Sequence, residues 1–163
     1  MNNRWEWMET AMAGVSGTAS CWYRDLETGE TFGWQEEAVH SSASIIKIFL
    51  MAFLFRKFRD GELHPEDRME IRPELISPSA GVLSYLRDLR ELSVRDLIEL
   101  MIIVSDNSAT NVLIDLAGMD EVNAFLAEEL GLQQTRVRRK MMDLDAIARG
   151  DRKSTRLNSS HAR

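Results

Sequence analysis

A serine and a lysine three residues apart, Ser44 and Lys47, lie in a long apolar segment that ends near Phe55. On a helix, this spacing places both side chains on one face, one turn apart. Ser44 would then lie in the first turn, where unpaired backbone N–H groups and the helix dipole favour an oxyanion. A lysine among isoleucine and phenylalanine side chains loses hydration, which lowers its pKa, and a serine needs such a base to become a nucleophile. A core helix with a capping serine and a lysine extended to water fits the spacing equally well.

Three small polar residues, Ser105, Asp106 and Asn107, directly follow a strongly apolar segment whose start is marked by Ser93 as a helix N-cap. Buried polar side chains of this kind must be hydrogen-bonded. Alone, the three residues favour a polar turn between two helices. Together with Ser44 and Lys47 they form a more specific pattern.

This pattern, S-x-x-K followed about sixty residues later by S-D-N, resembles the penicillin-recognising serine hydrolases and, among them, the class A β-lactamases. The flanking residues 92–97 and 108–113 also follow the family pattern, and the resemblance covers roughly residues 3–149. It implies an α/β (α+β) fold with a helical subdomain. It also implies an antiparallel sheet, of which the N-terminal hairpin is present and the C-terminal strands are missing.

The resemblance assigns a role to each motif residue. It makes Ser44 the acylated nucleophile, Lys47 the group that helps to deprotonate it, and Ser105 the relay of a proton to the leaving nitrogen. Asn107 would bind the amide side chain of the substrate, and Asp106 would be structural. The implied reaction is hydrolysis of a β-lactam or a related, peptidoglycan-like amide through an acyl-enzyme, without a cofactor or a metal.

The resemblance fails at the glutamate that activates the hydrolytic water in class A β-lactamases. The family motif E-x-x-L-N aligns with residues 141–145, which puts Met141 in place of the glutamate. A thioether cannot take a proton from water. Either Asp143 or Asp145 serves as the deacylation base, or the acyl-enzyme is long-lived. The alternatives are therefore a D,D-peptidase- or esterase-like hydrolase, or a non-catalytic penicillin-binding relative.

The end of the chain departs from the family as well. The third family motif, K-T-G, is absent, and residues 151–161 back-translate codon by codon into a widely used DNA-sequencing adapter. We therefore expect residues 1–150 to be a truncated β-lactamase-like domain and residues 151–163 to be a non-native tail. We also expect the chain at this length to be poorly active.

Composition excludes several other classes of protein. The chain has 163 residues, 44% of them hydrophobic and 28% charged, which is typical of one soluble domain. A net charge of −6 argues against a nucleic-acid partner, and a single cysteine, Cys21, excludes an internal disulfide. No apolar run is long enough to span a membrane, and no signal peptide is visible, so the cytoplasm is the default expectation. We expect a monomer acting on a small-molecule substrate.

The hydrophobic pattern predicts the elements that position the motifs. It predicts a helix over residues 3–13, a β-hairpin over 18–34, and a helix from Ser44 to about Arg59. Further helices are predicted after Ser93, over 109–117 and over 120–130. The helix after Ser93 is apolar on most sides and is expected to be the central one. Residues 35–43, 64–92 and 133–150 are predicted to be mostly irregular.

Overall fold

A computed structural model describes residues 5–78, 81–143 and 155–157 of the chain. Within these residues it contains five α-helices: α1 (Glu6–Ala13), α2 (Ile46–Arg59), α3 (Val94–Ile103), α4 (Asn107–Ala117) and α5 (Met119–Glu128). Its strands are β1 (Cys21–Arg24), β2 (Thr31–Trp34), β3 (His40–Ser41), β4 (Arg68–Glu70), β5 (Glu91–Ser93), β6 (Arg136–Val137) and β7 (Thr155–Leu157). Short 3-10 turns lie at Ala43–Ile45, Pro73–Leu75 and Leu83–Tyr85.

The strands form three small antiparallel sheets. The predicted hairpin is confirmed, since β1 pairs with β2 from Cys21 opposite Trp34 to Arg24 opposite Thr31. Two further sheets, β4 with β5 and the order β3-β7-β6, lie mostly in segments that were predicted to be irregular. Strands of two or three residues are too short to show the alternation by which a strand is recognised in a sequence. The proposed non-native origin of the segment that contains β7 stays a prediction.

The hydrophobic core is built by α2, α3, α4 and α5, and its fully buried members all lie between Ile46 and Val137. The expectation that α3 is the central helix is wrong. Only one face of α3 is buried, and Ile103 is 77% exposed. The central helix is α4, in which nine of 11 residues are buried. Its small polar side chains can be buried because they are hydrogen-bonded, as when Ser108 Oγ accepts from the backbone N–H of Ser77 at 2.9 Å.

The N-terminal elements contact one another through aromatic side chains. Helix α1 has no buried residue, and it is preceded by Trp5, whose ring lies 5.1 Å from Tyr23 and 5.0 Å from Phe32. These aromatic contacts connect α1 to the β1–β2 hairpin. Within the described ranges, no helix is both long and apolar enough to cross a membrane.

Candidate active site

Ser44 lies in the 3-10 turn Ala43–Ile45, which leads directly into α2. The expectation that Ser44 lies in the first turn of the α-helix is therefore wrong by one short turn, since α2 begins at Ile46. The turn is closed by the N–H of Ile45, which donates to the carbonyl of Ser42 at 2.9 Å. Ala43 has a φ of 44°, a left-handed conformation that is costly for a residue with a side chain. The chain is thus held in a tight bend at the serine.

Lys47 lies in the first turn of α2 and is only 2% exposed. Its Nζ donates to the carbonyl oxygen of Ser105 at 2.7 Å, to Ser105 Oγ at 3.0 Å and to Asn107 Oδ1 at 2.8 Å. These three acceptors match the three N–H groups of an ammonium, and all of them are neutral. Burial lowers the pKa of Lys47, and the negative charge of Asp106 opposes this shift by raising it.

Ser105 connects Lys47 to Ser44. It follows the end of α3 with a φ of 54°, so the chain reverses sharply between α3 and α4. Its Oγ lies 3.0 Å from Ser44 Oγ and 3.0 Å from Lys47 Nζ. A continuous hydrogen-bonded path therefore runs from the hydroxyl of Ser44 through the hydroxyl of Ser105 to the amine of Lys47.

Asp106 holds this turn in place, in agreement with a structural role. Its side chain is fully buried and accepts from the N–H groups of Val82 at 2.6 Å, Leu83 at 2.7 Å and Ala109 at 2.9 Å. The bond from Ala109 makes Asp106 the N-cap of α4. Gly81 approaches the carboxylate so closely that a Cβ atom would overlap it. The S-D-N turn is thus joined to residues 81–83.

Asn107 begins α4 and is oriented by the lysine. Because Lys47 Nζ is the donor in this hydrogen bond, the Asn107 side-chain atom that faces it is the acceptor, Oδ1. The Nδ2 group is consequently the end of the side chain that can donate elsewhere. Asn107 also lines the pocket that contains Ser44.

This pocket has a volume of about 270 Å³. Its lining combines the serine turn, the first residue of α4 and one later segment: Ala43, Ser44, Asn107, Arg139, Lys140, Met141 and Met142. Met141, the residue expected in place of the family glutamate, therefore lies in the wall of the Ser44 pocket. Its backbone is held by Asn111 on α4, which accepts from the Met141 N–H at 2.7 Å and donates to the Met141 carbonyl at 3.3 Å.

Of the two aspartates proposed as deacylation bases, the structure describes only Asp143. Asp143 lines a neighbouring pocket of about 450 Å³ and is absent from the lining of the Ser44 pocket. Asp145 lies outside the described residues.

Sequence reasoning also missed Asn111, although an asparagine on the apolar face of a buried helix is a signal that a backbone group needs a partner.

The geometry can support acyl transfer by a serine. A hydroxyl in a pocket is connected to a buried amine, and an amide donor lies beside it. Within the described part of the chain, no group of three or more histidine, cysteine, aspartate or glutamate side chains could hold a metal ion.

Comparison with solved structures shows the same fold. PBP-A superposes with a TM-score of 0.84 and 27% identity, with 98% of this chain matching 58% of PBP-A. A leucine-to-glutamate variant of PBP-A, solved as an acyl-enzyme complex with penicillin G, gives a TM-score of 0.85 at the same identity and coverage. A β-lactamase from Sphaerobacter thermophilus is 39% identical, with a TM-score of 0.73 over 81% of this chain and 49% of that protein. These matches confirm the expected mixed α/β fold.

A curated relative and a family model give the same assignment. The β-lactamase regulatory protein BlaB of Streptomyces cacaoi is 30% identical over 128 residues, which are 78% of this chain and 41% of that protein. The chain therefore spans between 41% and 58% of the length of these proteins. Residues 4–163 match the model of the Beta-lactamase enzyme family, and the chain belongs to that family.

Proposed function

We propose that the chain is a serine hydrolase that reacts with β-lactams, or with related peptidoglycan-like amides, by forming an acyl-enzyme at Ser44. The observation that carries this proposal is the path from Ser44 Oγ through Ser105 Oγ to Lys47 Nζ, with both steps at 3.0 Å. A hydroxyl connected to a buried amine can be activated without a histidine or a metal.

The proton would move along this path. A neutral Lys47 keeps two N–H groups for the carbonyl of Ser105 and for Asn107 Oδ1, and its lone pair then faces Ser105 Oγ. Ser105 can donate its proton to that lone pair while it accepts the proton of Ser44. Burial favours this neutral form because it disfavours the charged ammonium.

Ser44, Ser105 and Lys47 are sufficient to transfer every proton that the acylation reaction requires. Ser44 Oγ attacks the amide carbonyl carbon as its proton passes through Ser105 to Lys47, and the carbonyl oxygen becomes an oxyanion. The backbone N–H of Ser44 is the donor that we propose for this oxyanion. Collapse of the intermediate breaks the C–N bond, and Ser105 returns a proton from Lys47 to the leaving nitrogen. Asn107 Nδ2 would orient the acyl amide of the substrate.

Hydrolysis of the acyl-enzyme is proposed to be slow. The pocket wall next to Ser44 presents the thioether of Met141, which cannot act as a general base. Asp143, the described acidic candidate, lines the neighbouring pocket instead. The acyl-enzyme should therefore accumulate.

A second candidate function is covalent penicillin binding without useful turnover. Met141 in the pocket wall favours it, and the Streptomyces relative is named as a regulatory protein. A peptidase- or esterase-like hydrolase on the same scaffold would use the same acylation step. The lifetime of the acyl group separates a binding protein from a hydrolase.

Acylation at Ser44 can be tested directly by intact-protein mass spectrometry after brief exposure to penicillin G. We expect a mass increase equal to one penicillin, located at Ser44 by peptide mapping. Ser44→Ala should give no adduct, whereas Ser41→Ala, which changes an exposed serine of β3, should react like the wild type. A wild-type chain that stays unmodified, or an adduct that persists in Ser44→Ala, would disprove the proposal.

The deacylation hypothesis predicts a gain of function in Met141→Glu. A carboxylate in the pocket wall can act as a general base toward water, which contributes about 10²–10⁴-fold to a rate. We expect the adduct of this variant to disappear at least about a hundredfold faster than that of the wild type. Met141→Gln, which has nearly the same shape but no basic carboxylate, is the matched control. Rapid turnover by the wild type would show that another residue supplies the base.

A further inference from the structure

One segment of the chain lines two pockets. Residues 139–142, here called the wall segment, line both the Ser44 pocket of about 270 Å³ and the neighbouring pocket of about 450 Å³. A displacement of this segment away from Ser44 would be directed toward the neighbouring pocket. The position of the wall segment determines how much room a substrate has.

Two side chains of α4, one helical turn apart, hold the wall segment. Asn111 holds the backbone of Met141 through its amide. Asp115 holds the side chain of Lys140, whose Nζ donates to Asp115 Oδ1 at 2.7 Å. The asparagine therefore fixes the main chain, and the aspartate fixes the neighbouring side chain.

Asp115 also connects the wall segment to the chain on its other side. It forms an ion pair with Arg72, the residue before the 3-10 turn Pro73–Leu75. The carbonyl of Leu75 in that turn accepts from Asn111 Nδ2 at 3.2 Å, so the two holding side chains share a neighbouring element. The hydrogen bond from Lys140, together with the charge of Arg72, lowers the pKa of the Asp115 carboxyl. Asp115 is therefore ionised, and paired with both cations, at neutral pH.

The volume of the Ser44 pocket is close to the lower limit for a ligand pocket. Pockets that bind drug-sized ligands usually measure about 300–1,000 Å³, and this one measures about 270 Å³. A large acyl substituent that is directed toward the wall segment would have to move this segment toward the neighbouring pocket. The interactions that hold the wall segment would oppose this movement.

We propose that Asp115 is a positioning residue that limits the size of the acyl substituent accepted at Ser44, because it holds Lys140 and with it the wall segment. This inference rests on the proposed acylation of Ser44. Asp115 touches neither the serine nor the space around it, so its effect would be on selectivity between substrates.

The selectivity test compares two penicillins on the full chain, one with a phenylacetyl group and one with a bulky fluorescent acyl group. Asp115→Asn should raise the ratio of the second-order acylation rates, bulky over small, by about fivefold, the upper end of what a partly exposed ion pair contributes. Asp115→Glu should restore the wild-type ratio. Asp88→Asn, which removes an exposed carboxylate outside both pockets, should leave it unchanged. An unchanged ratio in Asp115→Asn would overturn the inference.

Hydrogen exchange at the Met141 amide tests the same inference without any substrate. This N–H donates to Asn111 Oδ1, so its exchange reports opening of the wall segment. Asp115→Asn should speed its exchange by about fivefold, while amides in the core of α4 keep their rates. Uniformly faster exchange would indicate general destabilisation, and an unchanged Met141 amide would show that Asp115 does not hold the wall; either result overturns the inference. If no variant is acylated, the proposed function fails, and the exchange rates still decide whether Asp115 holds the wall.

Discussion

The two ends of α2 each carry a lysine, and the two lysines have opposite surroundings. Lys47 in the first turn is buried and donates to three neutral acceptors. Lys57 in the last turns lies at the surface between two carboxylates, Glu62 at 2.6 Å and Glu121 at 3.0 Å. One helix thus presents the same side chain to a buried site with neutral acceptors and one nearby carboxylate, Asp106, and to a pair of more exposed carboxylates.

The pKa values of the two lysines move in opposite directions for this reason. Burial lowers the pKa of Lys47, whereas hydrogen bonds to Glu62 and then to Glu121 raise the pKa of Lys57. A lysine with a lowered pKa can lose its proton and act as a base, while a lysine with a raised pKa stays a cation that links α2 to α5. The environment, more than the residue type, therefore decides which lysine can do chemistry.

The largest expected effect is on the rate of acylation. Lys47→Met removes the proposed proton acceptor and should slow acylation by penicillin G by about 10²–10⁴-fold, the usual contribution of general base catalysis. Lys57→Met, the matched change at the other end of α2, should leave the rate close to that of the wild type. Time-resolved mass spectrometry measures both rates. Equal losses in the two variants would mean that the lysines act only on stability.

The second effect concerns the carboxylates near each lysine. Asp106→Ala leaves two buried N–H groups and one part-buried N–H group without their acceptor, so we expect a loss of about 3–5 kcal/mol in the free energy of unfolding. Glu62→Ala removes one exposed partner of Lys57 and should cost at most about 1 kcal/mol. Urea denaturation with a common slope measures both values. Similar losses in the two variants would contradict the contrast between the two ends.

The smallest expected effect is the dependence on pH. Acylation needs neutral Lys47, so its rate should rise about tenfold per pH unit until the pH reaches the lowered pKa of Lys47. Above that pH the rate should be constant, and this plateau should begin at a pH lower than the pKa of an ordinary lysine. The lowered pKa also means that the folded state binds fewer protons, so the cost of burying Lys47 decreases as pH rises from its folded-state pKa to its unfolded-state pKa. The contribution of Lys57 to folding stability changes with pH in the opposite direction. It is complete at pH values below the unfolded-state pKa of Lys57, and it is lost as pH rises through the raised folded-state pKa.

Acylation rates and urea midpoints across a pH series measure these two dependences. Lys57→Met should keep the pH profile of acylation and remove only its own part of the stability profile. A rate of acylation that falls as pH rises would contradict the role of Lys47 as a base.

The features that the sequence predicted well are local ones. The side chain of Ser93 accepts from the N–H of Asp96 at 3.0 Å, as expected of an N-cap at the start of α3. The β1–β2 hairpin and the end of α4 before Gly118 also lie where turn and capping residues indicated. In each case the determining contacts join residues that are close in the chain.

The features that the sequence did not predict depend on distant partners. Asp106 accepts from Val82 and Leu83, 24 and 23 residues earlier, and Asn111 holds Met141, 30 residues later. The burial of α4 depends on such bonds, since its polar side chains could not be buried without them. Composition alone favoured the more apolar α3 as the central helix, and that prediction was wrong.

By itself, the sequence determined which residues could do chemistry and in which order they occur. The pair Ser44 and Lys47, followed by Ser105 and Asn107, indicated a serine hydrolase of the β-lactamase family, to which the chain belongs. The burial of Lys47, and its distance of 3.0 Å from the hydroxyl of a serine 58 residues away, follow from the packing of the folded chain. The reason is physical: desolvation and proton transfer depend on distances of a few ångströms, which packing of the helices sets and residue spacing does not.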